Sequence, residues 1–306
     1  MGKNLKIALL YGGTSSEREI SIKSGKAVEN ALKELNLEYR VFDPVEREKF
    51  INEIVEYKPD IVFNVLHGKG GEDGVIQGVL EFLGFKHTSS SVKTSSITMD
   101  KDFTKRILKT YNIPMANWEV IKSYEDIEKL DFSKFPKVLK PAEEGSSIGV
   151  SIVKNKSELI DALDELFKFN QKILVEDFIK GREITVGVIN GKPLDIIEIK
   201  VKDGFYDYEN KYFSSSTEYI CPAQIEKDIY KYIQNLSLEI YNILECEGAV
   251  RIDYILGEDN KPYFLEVNTI PGLTDHSLLP KAAEKEGIDF KELVLKILMG
   301  AMNENL

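Results

Sequence analysis

Short apolar runs and longer amphipathic stretches take turns along the first third of the chain. Residues 7–11, 39–42 and 60–65 are brief and built around Ile, Val, Leu and aromatic side chains, whereas 21–35, 46–57 and 74–83 repeat apolar positions at helical spacing. This alternation predicts an α/β unit in which an open parallel sheet is wrapped by helices. Functional loops of such sheets lie at the carboxyl ends of the strands, and two glycine-bearing loops, 12–16 and 67–71, fall there. The Ser/Thr-rich stretch 88–96 reads as a boundary.

Beyond that boundary the order of elements changes. A helix over 100–110 ends before Pro114, strands follow at 118–121, 138–140 and 150–153, and a helix at 157–169 with a strand at 173–176 completes a small α+β unit. Strands at 183–189 and 194–200 flank Asn190-Gly191, a strong hairpin signal. Residues 203–217 lack periodicity and are crowded with Tyr, Phe, Ser and Gly, a segment long enough to be a lid. A helix at 225–244, a second hairpin and helices at 277–285 and 289–302 close the chain. Three sections are therefore expected, 1–96, 97–180 and 181–306.

The second hairpin carries the densest chemistry. Residues 248–256 and 262–267 are strand-like, and Gly257-Glu258-Asp259-Asn260-Lys261 between them is turn chemistry. A two-residue loop at Asp259 and Asn260 would set Leu256 opposite Tyr263, Asp253 opposite Glu266 and Arg251 opposite Asn268. Because strand side chains alternate, the four polar groups then share one face. Two carboxylates and an amide oxygen at one spot form a hard-oxygen site suited to Mg²⁺ on nucleotide phosphates. Facing carboxylates destabilise a sheet unless a cation lies between them; Arg251 is itself a candidate for that cation, and a solvated cross-strand pair is the plainer alternative.

Composition narrows the ligands. With 306 residues the chain exceeds one ordinary core. A net charge of −11 and a pI near 5.0 argue against nucleic acid or an acidic membrane as partner, so small substrates are expected. Cys221 and Cys246 are too few for a disulfide framework. No apolar run reaches the length of a membrane span, and 7–11 ends in Gly12-Gly13, which reads as a strand and not a signal peptide. A cytoplasmic location is the default expectation.

Other segments gain meaning beside that hairpin. Residues 140–149 join two strands through a Gly/Ser loop whose amides and hydroxyls, those of Ser146 and Ser147 included, could close over a triphosphate while Lys140 supplies charge. Lys101 follows Asp100 at a helix start. Glu176-Asp177-Phe178-Ile179 lies between the second and third sections, a natural adenine crevice, with Phe178 and Ile179 reading the base and Glu183 the ribose; an ordinary connector is the alternative. His67 opens a glycine-dense turn facing the presumed cleft. Glu17, at a strand-to-helix turn, can hold a substrate ammonium or simply favour the helix N-terminus. Ser277 and Leu278 begin a helix whose free amides suit a carboxylate, unless Ser277 is only an N-cap.

In combination these segments resemble one family. Gly12-Gly13-Thr14-Ser15-Ser16-Glu17-Arg18-Glu19, residues 67–78, Glu144-Gly145-Ser146-Ser147-Ile148-Gly149, Arg251-Ile252-Asp253 and Glu266-Val267-Asn268-Thr269-Ile270-Pro271-Gly272 are similar to D-alanine–D-alanine ligases of the ATP-grasp superfamily, over nearly the whole length. The resemblance implies three α/β domains, ATP between the central and C-terminal ones, and usually a homodimer. It implies an acyl phosphate made from one D-alanine and attacked by the amine of a second. Asp253, Glu266 and Asn268 would hold two Mg²⁺ ions, Mn²⁺ being possible. Lys101 and Lys140 would clamp phosphates, with Ser147, Glu176, Phe178, Ile179, Glu183 and Lys211 completing the nucleotide site. Arg251 and the Gly272 amide would stabilise the oxyanion, while Glu17, linked to Ser146 and Tyr212 with His67 nearby, would orient the first substrate. Ser277 and the Leu278 amide would take the second substrate's carboxylate. Tyr212 in the lid favours an amine nucleophile. A ligase using D-lactate or D-serine as acceptor and a non-catalytic nucleotide-binding module are the alternatives. Tyr254 departs from the family's usual aliphatic residue, on the face away from the carboxylates.

Overall fold

Strands β1 (Lys6–Leu10), β2 (Glu38–Phe42) and β3 (Ile61–Asn64) pair in parallel in the order β2-β1-β3, as the alternation predicts. The computed structural model describes residues 5–169, 171–201, 217–274 and 276–302. From Ile7 to Leu10 β1 is apolar because both faces of the sheet are covered. On one face Ala8 and Leu10 meet Phe50 and Ile54 of α2 (Arg47–Tyr57) and Ile76 and Leu80 of α3 (Val75–Phe82). On the other, Ile7 and Leu9 meet Val28 and Leu32 of α1 (Arg18–Glu34).

The latter half of the Ser/Thr-rich stretch 88–96 is helical. The Ser91 hydroxyl accepts the Thr94 amide and starts α4 (Val92–Met99); Asp100 then caps α5 (Lys101–Thr110) by accepting the amides of Asp102 and Phe103. The hydroxyls are spent on backbone carbonyls, Thr94 Oγ1 donating to Leu244 at 2.9 Å and Thr98 Oγ1 to Thr94 at 2.8 Å. A Ser/Thr-rich segment that satisfies itself in this way can be helical and buried.

The second sheet is antiparallel, in the order β4-β7-β5-β6, from β4 (Trp118–Ile121), β5 (Lys137–Pro141), β6 (Ser151–Val153) and β7 (Ile173–Asp177). One face packs Ile121, Leu139 and Val175 on Leu159 and Leu163 of α6 (Lys156–Leu166). The third sheet runs β10-β9-β8-β11-β12, from β8 (Gly181–Ile189), β9 (Lys192–Val201), β10 (Thr217–Ile220), β11 (Ala249–Gly257) and β12 (Pro262–Asn268). Ile233, Leu236 and Ile240 of α7 (Lys227–Ile243) cover Ile184, Val186 and Ile252 of this sheet. β10 lies just past the expected lid and was not foreseen as a strand. Finally, α8 (Leu278–Lys285) and α9 (Phe290–Met302) return to the first sheet: Leu293, Val294, Ile297 and Leu298 share a core with Ile7, Leu9 and Phe63.

Candidate active site

The β11–β12 hairpin sets Asp253 opposite Glu266 and Arg251 opposite Asn268, as expected, by a route the residue spacing does not reveal. The loop holds three residues, not two: the Gly257 amide donates to the Lys261 carbonyl at 2.9 Å, and Asn260 sits at φ +62°, the left-handed region that asparagine tolerates. Leu256 therefore faces Pro262 and not Tyr263. A bulge then slips the ladder by one residue between Asp253 and Tyr254, which restores the expected pairing at the carboxylates. Tyr254 points to the other face, fully buried, its hydroxyl 2.8 Å from that of Ser237.

Arg251 does supply a cation to this face. Its Nε and Nη2 reach the two Asp253 oxygens at 2.9 and 2.8 Å, a bidentate pair. Thr185 Oγ1 and Asn268 Nδ2 donate to the same carboxylate at 2.5 and 3.1 Å. Glu266 lies 3.4 Å from the Lys101 ammonium, which also donates to the Glu144 carbonyl at 2.6 Å. Among the described residues no three His, Cys, Asp or Glu side chains form a metal cluster; the donor set is two carboxylates and one amide.

Two clefts meet at this hairpin. The one between the second and third sheets spans about 890 Å³, open solvent at its mouth included. Lys101, Lys140, Ser147, Glu176, Phe178, Ile179 and Glu183 all line it, with Asp253 and Glu266 at its end and Val138, Ile148, Ile255 and Phe264 as walls. Lys140 and Lys105 both pair with Glu176, at 3.0 and 2.6 Å. The Phe178 amide is already donated to the Pro136 carbonyl at 3.3 Å, so that N–H is not offered to a base. Ser146 and Ser147 hold φ of +52° and +59° in the loop after β5, conformations that cost energy for residues bearing a Cβ and that concentrate at functional loops.

The second cleft, about 720 Å³, is lined by Glu17, His67, Ser146, Arg251, Glu266, Asn268, Gly272, Ser277 and Leu278. Glu17 precedes α1 without capping it; its carboxylate instead accepts the Ser146 hydroxyl in a close hydrogen bond. A Cβ on Gly145 or Gly68 would come within 3.0 or 2.9 Å of that carboxylate, so glycine at both places lets the two loops close on Glu17. Burial pushes the His67 imidazole down to about 4 against a backbone bond to Ile270, with Arg251 adding to the fall, so it is neutral near pH 7. Ser277 stands at the N-cap of α8, yet its hydroxyl accepts the Thr274 amide at 2.9 Å and caps nothing, leaving the first turn of the helix turned to the cleft.

Residue reading missed two contributors. Glu72 lines the second cleft and accepts the Gly68 amide at 3.1 Å. Its carboxyl is deep although part of the residue remains open; burial, with Glu17 and Glu266 adding to it, pushes the group up to about 8. Its place in the glycine-dense turn after His67 was the available signal. Lys105 had none, since a lysine in an amphipathic helix reads as exposed. Tyr212 and Lys211 lie outside the described residues.

Comparison with known proteins gives one answer. The family model described as D-ala D-ala ligase C-terminus matches residues 107–299. The chain is 44% identical over 296 residues to the D-alanine–D-alanine ligase of Aquifex aeolicus, covering 96% of this chain and all of that one. The D-alanine–D-alanine ligase of Bacillus anthracis complexed with ATP superposes with a TM-score of 0.85 at 33% identity, covering 98% of each chain. The VanG D-Ala:D-Ser ligase of Enterococcus faecalis reaches 0.83 at 27% identity, over 98% of this chain and all of that one. A parallel first sheet, two antiparallel sheets enclosing a cleft and full-length likeness agree: the chain belongs to the D-alanine–D-alanine ligase family.

Proposed function

We propose that the protein joins two D-alanine molecules with ATP, forming D-alanyl-D-alanine for peptidoglycan precursors through an acyl phosphate. The observation that carries the reading is the meeting of two clefts at one hairpin, with Glu266 in the wall of both. A nucleotide in the larger cleft would lay its phosphates toward Lys101, Lys140 and Ser147 and its base toward Glu176, the Phe178 carbonyl and Ile179, with Glu183 at the ribose. The amino-acid cleft offers Glu17 to an ammonium group and the first turn of α8, with Ser277 and the Leu278 amide, to a carboxylate. Arg251 and the Gly272 amide, in the lining of the same cleft, would donate to a developing oxyanion.

Magnesium fits the donors at the seam. Asp253, Glu266 and the Asn268 amide offer hard oxygens, and Glu72 adds a further carboxyl in the lining of the second cleft beside Glu266. Bound there, one or two Mg²⁺ ions, or Mn²⁺, would neutralise charge on a transferring phosphoryl group. Three domains, following the three sheets with the lid in the last, and a cytoplasmic homodimer complete the proposal. Family membership supports them, and sedimentation at micromolar concentration tests the dimer.

Purified protein given Mg²⁺, ATP and D-alanine should release phosphate and form the dipeptide. ATP binding without turnover would overturn the reading in favour of a nucleotide-binding module. D-serine or D-lactate outcompeting D-alanine as acceptor would replace it with a related ligase; an amine must lose a proton before attack, so a pH series separates the two acceptor classes.

A further inference from the structure

Among the described residues beside the larger cleft, Lys105 is fully buried for a reason the proposed chemistry does not supply. It stands on α5, fully buried, with its ammonium 2.6 Å from Glu176 Oε1 and 5.4 Å from the centre of the Trp118 ring. The pair is close without the alignment of a directed hydrogen bond. The same carboxylate oxygen lies 3.0 Å from Lys140. One buried anion thus serves two cations, at a site where each uncompensated charge is costly. Burial opposes the charge of Glu176, but the two ammonium groups outweigh it and hold its carboxyl below the usual range. Burial in turn pushes Lys105 down to about 8.

The two lysines differ in reach. Lys140 lines the cleft; Lys105 is not in the lining, and its ammonium meets a lining residue at Glu176. If Glu176 depended on Lys140 alone, recruiting that ammonium to phosphate would strand a carboxylate away from water, and the group would take up a proton. A protonated carboxyl donates where an ionised one accepts.

We propose that Lys105 is a positioning residue for nucleotide recognition: it keeps Glu176 anchored and anionic independently of Lys140, so that Lys140 can serve the phosphates while Glu176 presents an acceptor to the 6-amino group of an adenine. The inference rests on the reading of the larger cleft as the nucleotide site. It makes purine discrimination, and not affinity alone, the property that Lys105 sets.

Calorimetric titration of ADP and of its 6-oxo counterpart IDP, with Mg²⁺ present, tests this in the wild type, Lys105→Met and Glu176→Gln. Wild type should favour ADP, and Lys105→Met should shrink the ADP-to-IDP affinity ratio by about tenfold, the order of one hydrogen bond to a charged group. Equal weakening of both nucleotides would make Lys105 a packing residue and overturn the proposal. In Glu176→Gln the amide both donates and accepts, so the ratio should collapse. An unchanged ratio there would refute the placement of the base against Glu176, whereas collapse in Glu176→Gln with an unchanged ratio in Lys105→Met would refute the role of Lys105 alone. Should Lys105→Met not fold, Lys105→Gln keeps a donor without the charge and is judged on the same ratio.

Discussion

The two clefts handle charge in opposite ways. In the one assigned to the nucleotide, Glu176 is matched by Lys105 and Lys140 and Asp177 by Lys137 at 3.2 Å, so ions are paired and the walls between them are apolar. In the one assigned to the amino acids, Glu17, Glu72 and Glu266 share the lining with Arg251 and a neutral His67, and burial, with the neighbouring carboxylates adding to it, raises the Glu72 carboxyl. The first is prepared for an anion that brings its own charge. The second is richer in carboxylates than in cations, which suits the ammonium groups and metal proposed for it.

The sharpest way to break this contrast is Glu266→Gln, at the seam. Turnover should fall by on the order of 10²–10³, as when a preorganised charge contact to a transition state is removed. Melting of the metal-free variant should not drop, because removing one of several crowded carboxylates relieves repulsion; a collapse in melting temperature would show Glu266 to be structural. Next comes His67. The unfolded chain binds a proton near 6.5 while the folded imidazole waits until about 4, so the unfolded state holds more protons between those values. Stability is therefore lost as pH falls from 6.5 through 4, by about 3 kcal/mol. Denaturant melts of wild type and His67→Gln across that window should diverge by this amount, and parallel curves would place the histidine in a wetter site.

Glu17→Gln addresses the carboxylate-rich cleft directly. Loss of a charged partner for the substrate ammonium should raise the D-alanine KM by roughly ten- to a hundredfold. Nucleotide affinity should stay within twofold, approximately, because the two sites share no such contact; calorimetry on the variant checks it, and equal losses at both sites would erase the distinction between the clefts. The smallest effect belongs to Tyr254→Phe, behind the hairpin. Removing its bond to Ser237 should cost about 1 kcal/mol in denaturant unfolding, with kcat unchanged.

Much of this was legible in the residues, for reasons that differ from place to place. The first sheet follows from apolar runs too short for helices and buried on both faces, a pattern with few alternative meanings. Nearly every residue singled out within the described segments lines one of the two clefts. The Asp253–Glu266 pairing was correct, although the loop was assigned one residue too few; the bulge at Leu265 cancelled that error, and neither irregularity has a signature beyond Asn260. Ser/Thr density at 88–96 gave no sign of the helix there, because hydroxyls bonding to backbone mark turns and buried helices alike. Lys105 acquires its character only from what packs around it, and Glu72 offers no more than its place in a glycine-dense turn. Periodicity describes one element at a time and says nothing of a lysine that another sheet will cover.

One feature of the core bears on how the protein is made. The face of the first sheet built from Ile7, Leu9 and Phe63 is completed by Leu293, Val294, Ile297 and Leu298. During synthesis from the amino end, those early strands leave the ribosome long before the helix that roofs them exists. Nascent chains stalled before residue 290 should expose the part of that face which α1 does not cover and bind holdase chaperones, whereas chains that include 290–302 and have cleared the ribosome should not.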